Sequence, residues 1–314
     1  MLTLHNGNKI PTIGLGTWNS EKNLVKNAVE YALNNGYRHI DCAKAYENEV
    51  EVGEAIKYSK VDRHEIFITS KLWNTNHRPE NVEKGLNSSL ENLNVKYLDL
   101  FLMHWPIAFE YQGEDEMEPL NMETFEIAMD DSEEADYLKT WKEMERLYRE
   151  GKVKSIGVSN FNLAQLQWLI DNCEIIPHVL QIEIHPYFQQ KEMVDFCKET
   201  GIVVTGYSPL GSPGFNIDGS RKLKAIENEV ICEIAEKLEK TPAQIMIKWA
   251  LQRGISVVPK SVNEKRIFKN YVFGYFELSD EDMEKINEID LEEKVVNPTW
   301  WSHSKFFPFR INES

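Results

Sequence analysis

Between residues 37 and 275 the chain alternates short, nearly continuous apolar runs with longer amphipathic stretches. The runs are RHIDC, EIFITSKL, YLDLFLMHW, SIGVSN, VLQIEI, IVVTGYS, ISVVPK and a weaker YVFGYF. They are rich in β-branched residues and lack strict alternation, so they read as strands buried on both faces, as in a parallel sheet. The stretches between them include NLVKNAVEYALNNG, NVEKGLNSSLENL, TWKEMERLYREG, LAQLQWLIDN, KEMVDFCKETG and PAQIMIKWALQRG. Their apolar residues recur at three- and four-residue intervals and predict helices. Gly36, Gly151, Gly201 and Gly254 stand where a helix ends in a left-handed residue. Eight strands within roughly 240 residues suit a closed (β/α)8 barrel better than an open sheet. The opening LTLHNGNKIPTIG reads as a hairpin around Asn6-Gly7 that caps the barrel floor. No composition break marks a linker, so residues 1–314 are expected to form a single domain.

Two segments interrupt this rhythm. Residues 107–138 follow His104-Trp105-Pro106, are rich in Asp and Glu, and contain no Lys or Arg. The tail from about Val295 carries Trp300, Trp301, Phe306, Phe307 and Phe309. A barrel places its site at the carboxyl ends of its strands, and the acidic segment leaves from such an end. Long loops there often serve as lids. The tail aromatics are expected to wall a pocket or dock on the barrel rather than stay in water.

Charge narrows the partners. The 35 Lys and Arg against 51 Asp and Glu leave a net charge of −16. So acidic a surface repels phosphate backbones and anionic lipid, and no nucleic-acid or membrane partner is expected. The opening residues lack an apolar signal core, and no apolar run approaches the ~18 residues of a membrane span. Cys42, Cys173, Cys197 and Cys232 show no metal-binding spacing and read as free thiols of a reducing compartment. These features predict a soluble, cytoplasmic protein without a metal site.

The candidate chemistry lies at the ends of successive apolar runs. Asp41 and Tyr46 sit in HIDCAKAYENE, Lys71 ends FITSK, and His104 follows DLFLM. A phenol with a reference pKa near ~10 is a poor acid at neutral pH. A neighbouring ammonium favours the phenolate, and Lys71 is predicted to lower the Tyr46 pKa in this way. Asp41 would hold Lys71 charged, and His104 would donate a hydrogen bond to the substrate oxygen. Together the four make a carbonyl-polarising unit.

GLGTW at 14–18, HIDCAKAYENE, KLW, HWP, GVSNF at 157–161, QIEIHP, YSPLG at 207–211 and PKS with Arg266 and Asn270 occur in one order. In that order and spacing the chain resembles the aldo-keto reductases, from residue 3 to about 310. The resemblance implies NADPH-dependent reduction of aldehydes or ketones by direct hydride transfer, with Asp41, Tyr46, Lys71 and His104 as the catalytic tetrad. Tyr46 would give the proton, and no metal would be required.

No GxGxxG follows any strand, so the cofactor must be held without a Rossmann loop. The resemblance assigns Ser159, Asn160 and Gln181 to the nicotinamide carboxamide and the ring of Tyr207 to the nicotinamide face. It adds Asp41, Gly16, Thr17 and Trp18 of GLGTW, and Ser208, Pro209, Leu210 and Ser212 after Tyr207. Lys260, Ser261, Val262 and Arg266 follow a strand, and charged donors of this kind suit a 2′-phosphate. NADP(H) is therefore the expected cofactor, with Asn270 at the adenine. Trp18, Trp73 and Trp105 would line the substrate site with Tyr46 and His104, closed from the tail by Trp300 or Trp301. Such a mouth favours neutral aryl or alkyl aldehydes and open-chain sugars.

The sequence departs from the family pattern in two places. Lys269, where many members carry Glu, precedes Asn270, which unsettles the adenine contact. Asn19 and Gly214 replace the Lys and Asp that latch a loop over the pyrophosphate in some members, so easier release of NADP⁺ is expected. The family leans toward monomers. The alternatives are a dehydrogenase acting on hydroxysteroids or polyols, and a catalytically weak barrel serving as nucleotide sensor or structural protein.

Overall fold

Asn6 and Gly7 turn the chain back on itself, and strands β1 (Leu2–Thr3) and β2 (Lys9–Ile10) pair antiparallel with Leu2 opposite Ile10. The computed structural model describes residues 1–21, 23–211, 224–272 and 274–309. Gly7 takes a positive φ of 89°, which a side-chain-bearing residue adopts only with strain. Leu4 and Ile10 then join Phe67, Leu100, Leu102 and Val179 in a buried cluster. The hairpin thus plugs one end of the barrel, as the sequence predicts. Its Asn6 and Asn8 amides donate to the Lys154 carbonyl at 3.1 and 2.7 Å.

Eight parallel strands follow: β3 (Leu15–Gly16), β4 (His39–Asp41), β5 (Phe67–Leu72), β6 (Leu100–Met103), β7 (Ile156–Ser159), β8 (Val179–Glu183), β9 (Val203–Tyr207) and β10 (Ser256–Val257). Each pairs with its neighbour in chain order. The two edges meet, because Ile13 bridges Val257, Gly16 bridges Lys260, and the Gly14 N–H donates to the Val257 carbonyl at 2.8 Å. The sheet is therefore closed into a (β/α)8 barrel with no free edge.

Seven of the predicted strand runs become barrel strands, and the eighth does not. In YVFGYF, Tyr271 is the last residue of helix Glu264–Tyr271, and its ring stacks on Tyr37 at 4.4 Å. Gly274 has a positive φ and Tyr275 is fully exposed, so neither continues a ladder. The missing strand is Leu15–Gly16, two residues paired with Ile40 and Asp41. Too short and too rich in glycine to show a period, it is placed by its neighbours.

The six predicted amphipathic stretches all contain helices: Leu24–Asn34, Pro79–Leu93, Tyr137–Arg149, Leu163–Asn172, Lys191–Thr200 and Pro242–Gln252. Helices Glu49–Tyr58, Glu229–Lys237, Glu264–Tyr271 and Asp280–Asn287 lie outside the stretches singled out from the sequence. Gly53 shows one reason. A Cβ there would meet the Leu93 carbonyl at 2.5 Å, so close helix approach demands the residue that weakens the helical pattern. Among the described residues no helix is long and apolar enough to cross a membrane.

Candidate active site

Three neighbouring strands deliver the candidate tetrad to one end of the barrel. Asp41 ends β4, Lys71 stands one residue before the end of β5, and His104 follows β6. Tyr46 ends the 3-10 turn Lys44–Tyr46 that leaves β4. The Lys71 side chain is fully buried. Its Nζ donates to Asp41 Oδ2 at 2.8 Å, to the Cys42 carbonyl at 2.9 Å and to the Tyr46 hydroxyl oxygen at 3.1 Å. An ammonium has three hydrogens, and all three are used here. Asp41 Oδ1 accepts from Gln181 Nε2 at 2.7 Å, so both carboxylate oxygens are also engaged. The structure brings the four predicted residues together, with the Tyr46 and His104 rings edge to face at 5.8 Å between centroids.

The charge states follow from this geometry. Burial works against the Lys71 ammonium, but Asp41 and Tyr46 outweigh it and hold its pKa above the ordinary lysine value. The expected lowering of the Tyr46 pKa does not occur in this state. Burial pushes the phenol up to about 12; Lys71 pulls the other way and is outweighed, with the Asp41 charge adding to the rise. The phenol therefore keeps its proton at neutral pH. Burial, followed by the Lys71 charge, holds His104 well below the usual imidazole value, so its ring is neutral. A neutral imidazole carries one N–H donor, whereas a charged one would repel Lys71.

A second layer of amides borders this core. Ser159 Oγ donates to the Gln181 carbonyl at 2.8 Å, and Asn160 Nδ2 donates to the His104 carbonyl at 2.9 Å. The Tyr207 hydroxyl donates to Asn160 Oδ1 at 2.8 Å, leaving its half-buried ring beside the tetrad's amide neighbours. Asn160 and Ser208 both take positive φ, of 62° and 50°. Such strain concentrates at functional sites. The cap of the following helix is Asn162, in a capping box with Gln165, so Ser159 and Asn160 are not occupied as caps.

The remaining predicted residues divide. Thr17 is buried, and both its backbone N–H and its Oγ1 donate to the Asp41 carbonyl, which fixes the acid's backbone. Gly16 abuts β10, where a Cβ would meet the Val258 carbonyl at 2.7 Å. Trp18 is half exposed. Lys260 Nζ donates to the Asn19 carbonyl at 2.8 Å, and Ser261 Oγ accepts from the Asn263 N–H at 3.1 Å. Val262 and Leu210 pack on the core, Pro209 is buried, and Asn270 is buried at the end of its helix. The Arg266 guanidinium is exposed, with no ion-pair partner among the described residues. Ser212 and Gly214 lie outside the described residues.

An aromatic wall stands beside the tetrad. Trp73, Trp105, Ile107, Phe109, Trp301 and Phe307 form one buried cluster. The Trp73 ring meets His104 at 5.3 Å, and Trp301 meets Trp105 and Phe109 at 5.3 Å each. Of the two tail tryptophans, Trp301 enters the wall while Trp300 remains 58% exposed. Residues 107–138 are folded rather than loose, with bridges Phe109–Met129 and Leu120–Ile127 and an Arg78–Asp130 ion pair at 2.6 Å. The segment reaches both the wall and the tail. Its Met117 carbonyl accepts from Trp73 Nε1 at 2.7 Å, and Asp131 Oδ1 accepts from Ser304 Oγ at 3.2 Å. Phe109 was not singled out from the sequence; the fold brings it against Trp301, which was, across the mouth.

The buried ion pair should reveal itself in stability. Lys71→Met leaves Asp41 charged, buried and paired only with Gln181, which should cost about 3–5 kcal/mol. Adding Asp41→Asn removes the stranded charge and should recover most of that loss in urea unfolding. A double variant no more stable than Lys71→Met would contradict the pairing.

Comparison with known proteins finds relatives along nearly the whole chain. The family model "Aldo/keto reductase family" matches residues 12–291. The chain is 43% identical over 313 residues to aldo-keto reductase family 1 member A1 of Gallus gallus, covering 98% of this chain and 94% of the relative. It is 43% identical to the Homo sapiens protein of that name, covering 94% and 90%. The solved aldose reductase of Schistosoma japonicum superposes with a TM-score of 0.90 at 42% identity, covering 99% of each chain. The closed barrel, the tetrad at its mouth and these similarities together establish that the chain belongs to the aldo/keto reductase family.

Proposed function

We propose that this protein is an NADPH-dependent reductase of aldehydes and ketones, with Tyr46 as the proton donor. The observation that carries the reading is the hydrogen bond from buried, charged Lys71 to the oxygen of a protonated Tyr46, beside neutral His104. NADPH, when bound, supplies the hydride equivalent that reduces the carbonyl carbon. Tyr46 gives its hydroxyl proton to the carbonyl oxygen, and Lys71 stabilises the phenolate that remains. His104 donates a hydrogen bond to the same oxygen and orients it, while Asp41 keeps Lys71 charged. Proton uptake from solvent then restores Tyr46, and the sum is carbonyl, NADPH and a proton giving alcohol and NADP⁺.

The chain's own groups suit this cofactor. Gln181, Ser159 and Asn160 offer donors and acceptors matched to an uncharged carboxamide, and the Tyr207 ring offers a flat face. Arg266 has no ion-pair partner among the described residues of a chain with 51 acidic side chains, and with Lys260 and Ser261 it would suit a 2′-phosphate. The aromatic wall favours neutral aryl and alkyl carbonyls over carboxylates. Acidic residues 107–138 add repulsion toward anions, limited by salt screening.

Two variants test the reading. Tyr46→Phe removes only the proton donor and should lower aldehyde turnover by about 100-fold or more, with NADPH affinity nearly unchanged. Near-native turnover in Tyr46→Phe, followed as NADPH oxidation at 340 nm, would rule out the assigned role. Lys260→Ala with Arg266→Ala should weaken NADPH by about tenfold or more for each charge-assisted bond lost. NADH binding should change little, and equal losses for both cofactors in fluorescence titrations would place the 2′-phosphate elsewhere.

A further inference from the structure

Strand β8 carries a second buried acid whose work lies outside the tetrad. Two residues beyond Gln181, on the same strand, Glu183 is buried with its carboxylate facing the base of the tail. Its Oε1 accepts from the Val295 N–H at 2.6 Å and its Oε2 from the Val296 N–H at 2.9 Å. His185 Nε2 lies 2.8 Å from Oε1. A carboxylate presents acceptors only, and here two backbone amides and an imidazole converge on it.

The contact holds the segment that forms the substrate wall. Upstream, the Leu291 and Glu293 N–H groups donate to the Tyr187 carbonyl at 3.2 and 3.0 Å. Downstream, the Phe306 carbonyl accepts from Gln165 Nε2 at 2.8 Å and the Pro308 carbonyl from Asn162 Nδ2 at 3.0 Å. Between these ties the chain presents Trp301 and Phe307 to the wall. Lys294, beside Val295, lies 3.8 Å above the Phe309 ring, which meets Trp105 edge-on at 5.8 Å. We infer that Glu183 is a positioning residue: its carboxylate latches the tail through the Val295 and Val296 amides and so sets the wall against which the substrate packs. One strand then serves both halves of the site, since Gln181 fixes Asp41 while Glu183 fixes the tail. This inference rests on the reductase reading for what the wall binds, and not for the latch itself.

Glu183→Gln keeps the size of the side chain but turns an amide N–H toward one of the donors. Hydrogen exchange on the free protein should show the Val295 and Val296 amides exchanging about tenfold faster or more, with β8 and β9 amides unchanged. Among carbonyl substrates, KM should rise for a bulky aryl aldehyde while kcat for a short alkyl aldehyde stays near wild type. Should Glu183→Gln fail to fold by circular dichroism, Val295→Pro removes one donor from the other side and is read in the same way at Val296. Unchanged exchange in the folded variant overturns the latch. Faster exchange with no change in aryl KM overturns its role in setting the wall. Faster exchange in a protein whose wild type reduces no carbonyl supports the latch and removes the reductase reading instead.

Discussion

Lys71 and Asp41 form an ion pair away from water, and most of the site is arranged to make that pair tolerable. An isolated buried charge costs several kcal/mol, and a pair survives only when its remaining hydrogen-bonding capacity is filled. Here the other two lysine hydrogens go to the Cys42 carbonyl and the Tyr46 hydroxyl, and the second carboxylate oxygen accepts from Gln181. Thr17 holds the Asp41 backbone from β3's end, and Asn48 in turn donates to the Thr17 carbonyl at 2.9 Å. Three strands and two loops are thereby committed to one ammonium. In the proposed reaction its position decides where a proton can be released and where a negative oxygen is stabilised.

The same burial separates the roles of the neighbouring groups. Tyr46 is kept protonated because removal from water weighs more than the nearby positive charge. His104 is kept neutral because burial and that positive charge act in one direction. The tetrad thus rests as one fixed cation, one fixed anion and two neutral donors, with little reorganisation left for the reaction itself. Around it, the aromatic wall combines residues from the segments after β5 and β6 and from the distant tail. The tail is the least local of these parts, and its geometry relies on hydrogen bonds to the barrel rather than on its own secondary structure.

Much of this was legible in the sequence because strand ends leave a signature. Asp41, Lys71 and His104 each interrupt or close an apolar run, and parallel strands of a barrel bring such positions to one face. The parts whose placement the sequence does not reveal lack that signature. Leu15–Gly16 is too short to have a period, while YVFGYF has strand-like composition but its Tyr271 ends a helix and its Gly274 takes a positive φ. Trp300 and Trp301 are adjacent, and only the 3-10 turn Thr299–Trp301 selects which one faces the wall. Glu183 gives no signal within QIEIHP, since its partners are backbone amides 112 and 113 residues away and have no side-chain identity to read. The Tyr46 pKa departs from its sequence-based expectation for a related reason: the sequence supplies the lysine but not the depth of burial.

The charge on Lys71 is the central claim, and it can be observed without turnover. Lysines labelled with ¹³C at Cε report protonation through the chemical shift, and the Lys71 signal is the one absent from Lys71→Met. With Asp41 and Tyr46 holding the proton, that signal should not titrate below about pH 10.5, the ordinary lysine range. Titration of Lys71 at pH 9 or lower would mean that burial defeats the pairing with Asp41, and the account of the site would fail with it.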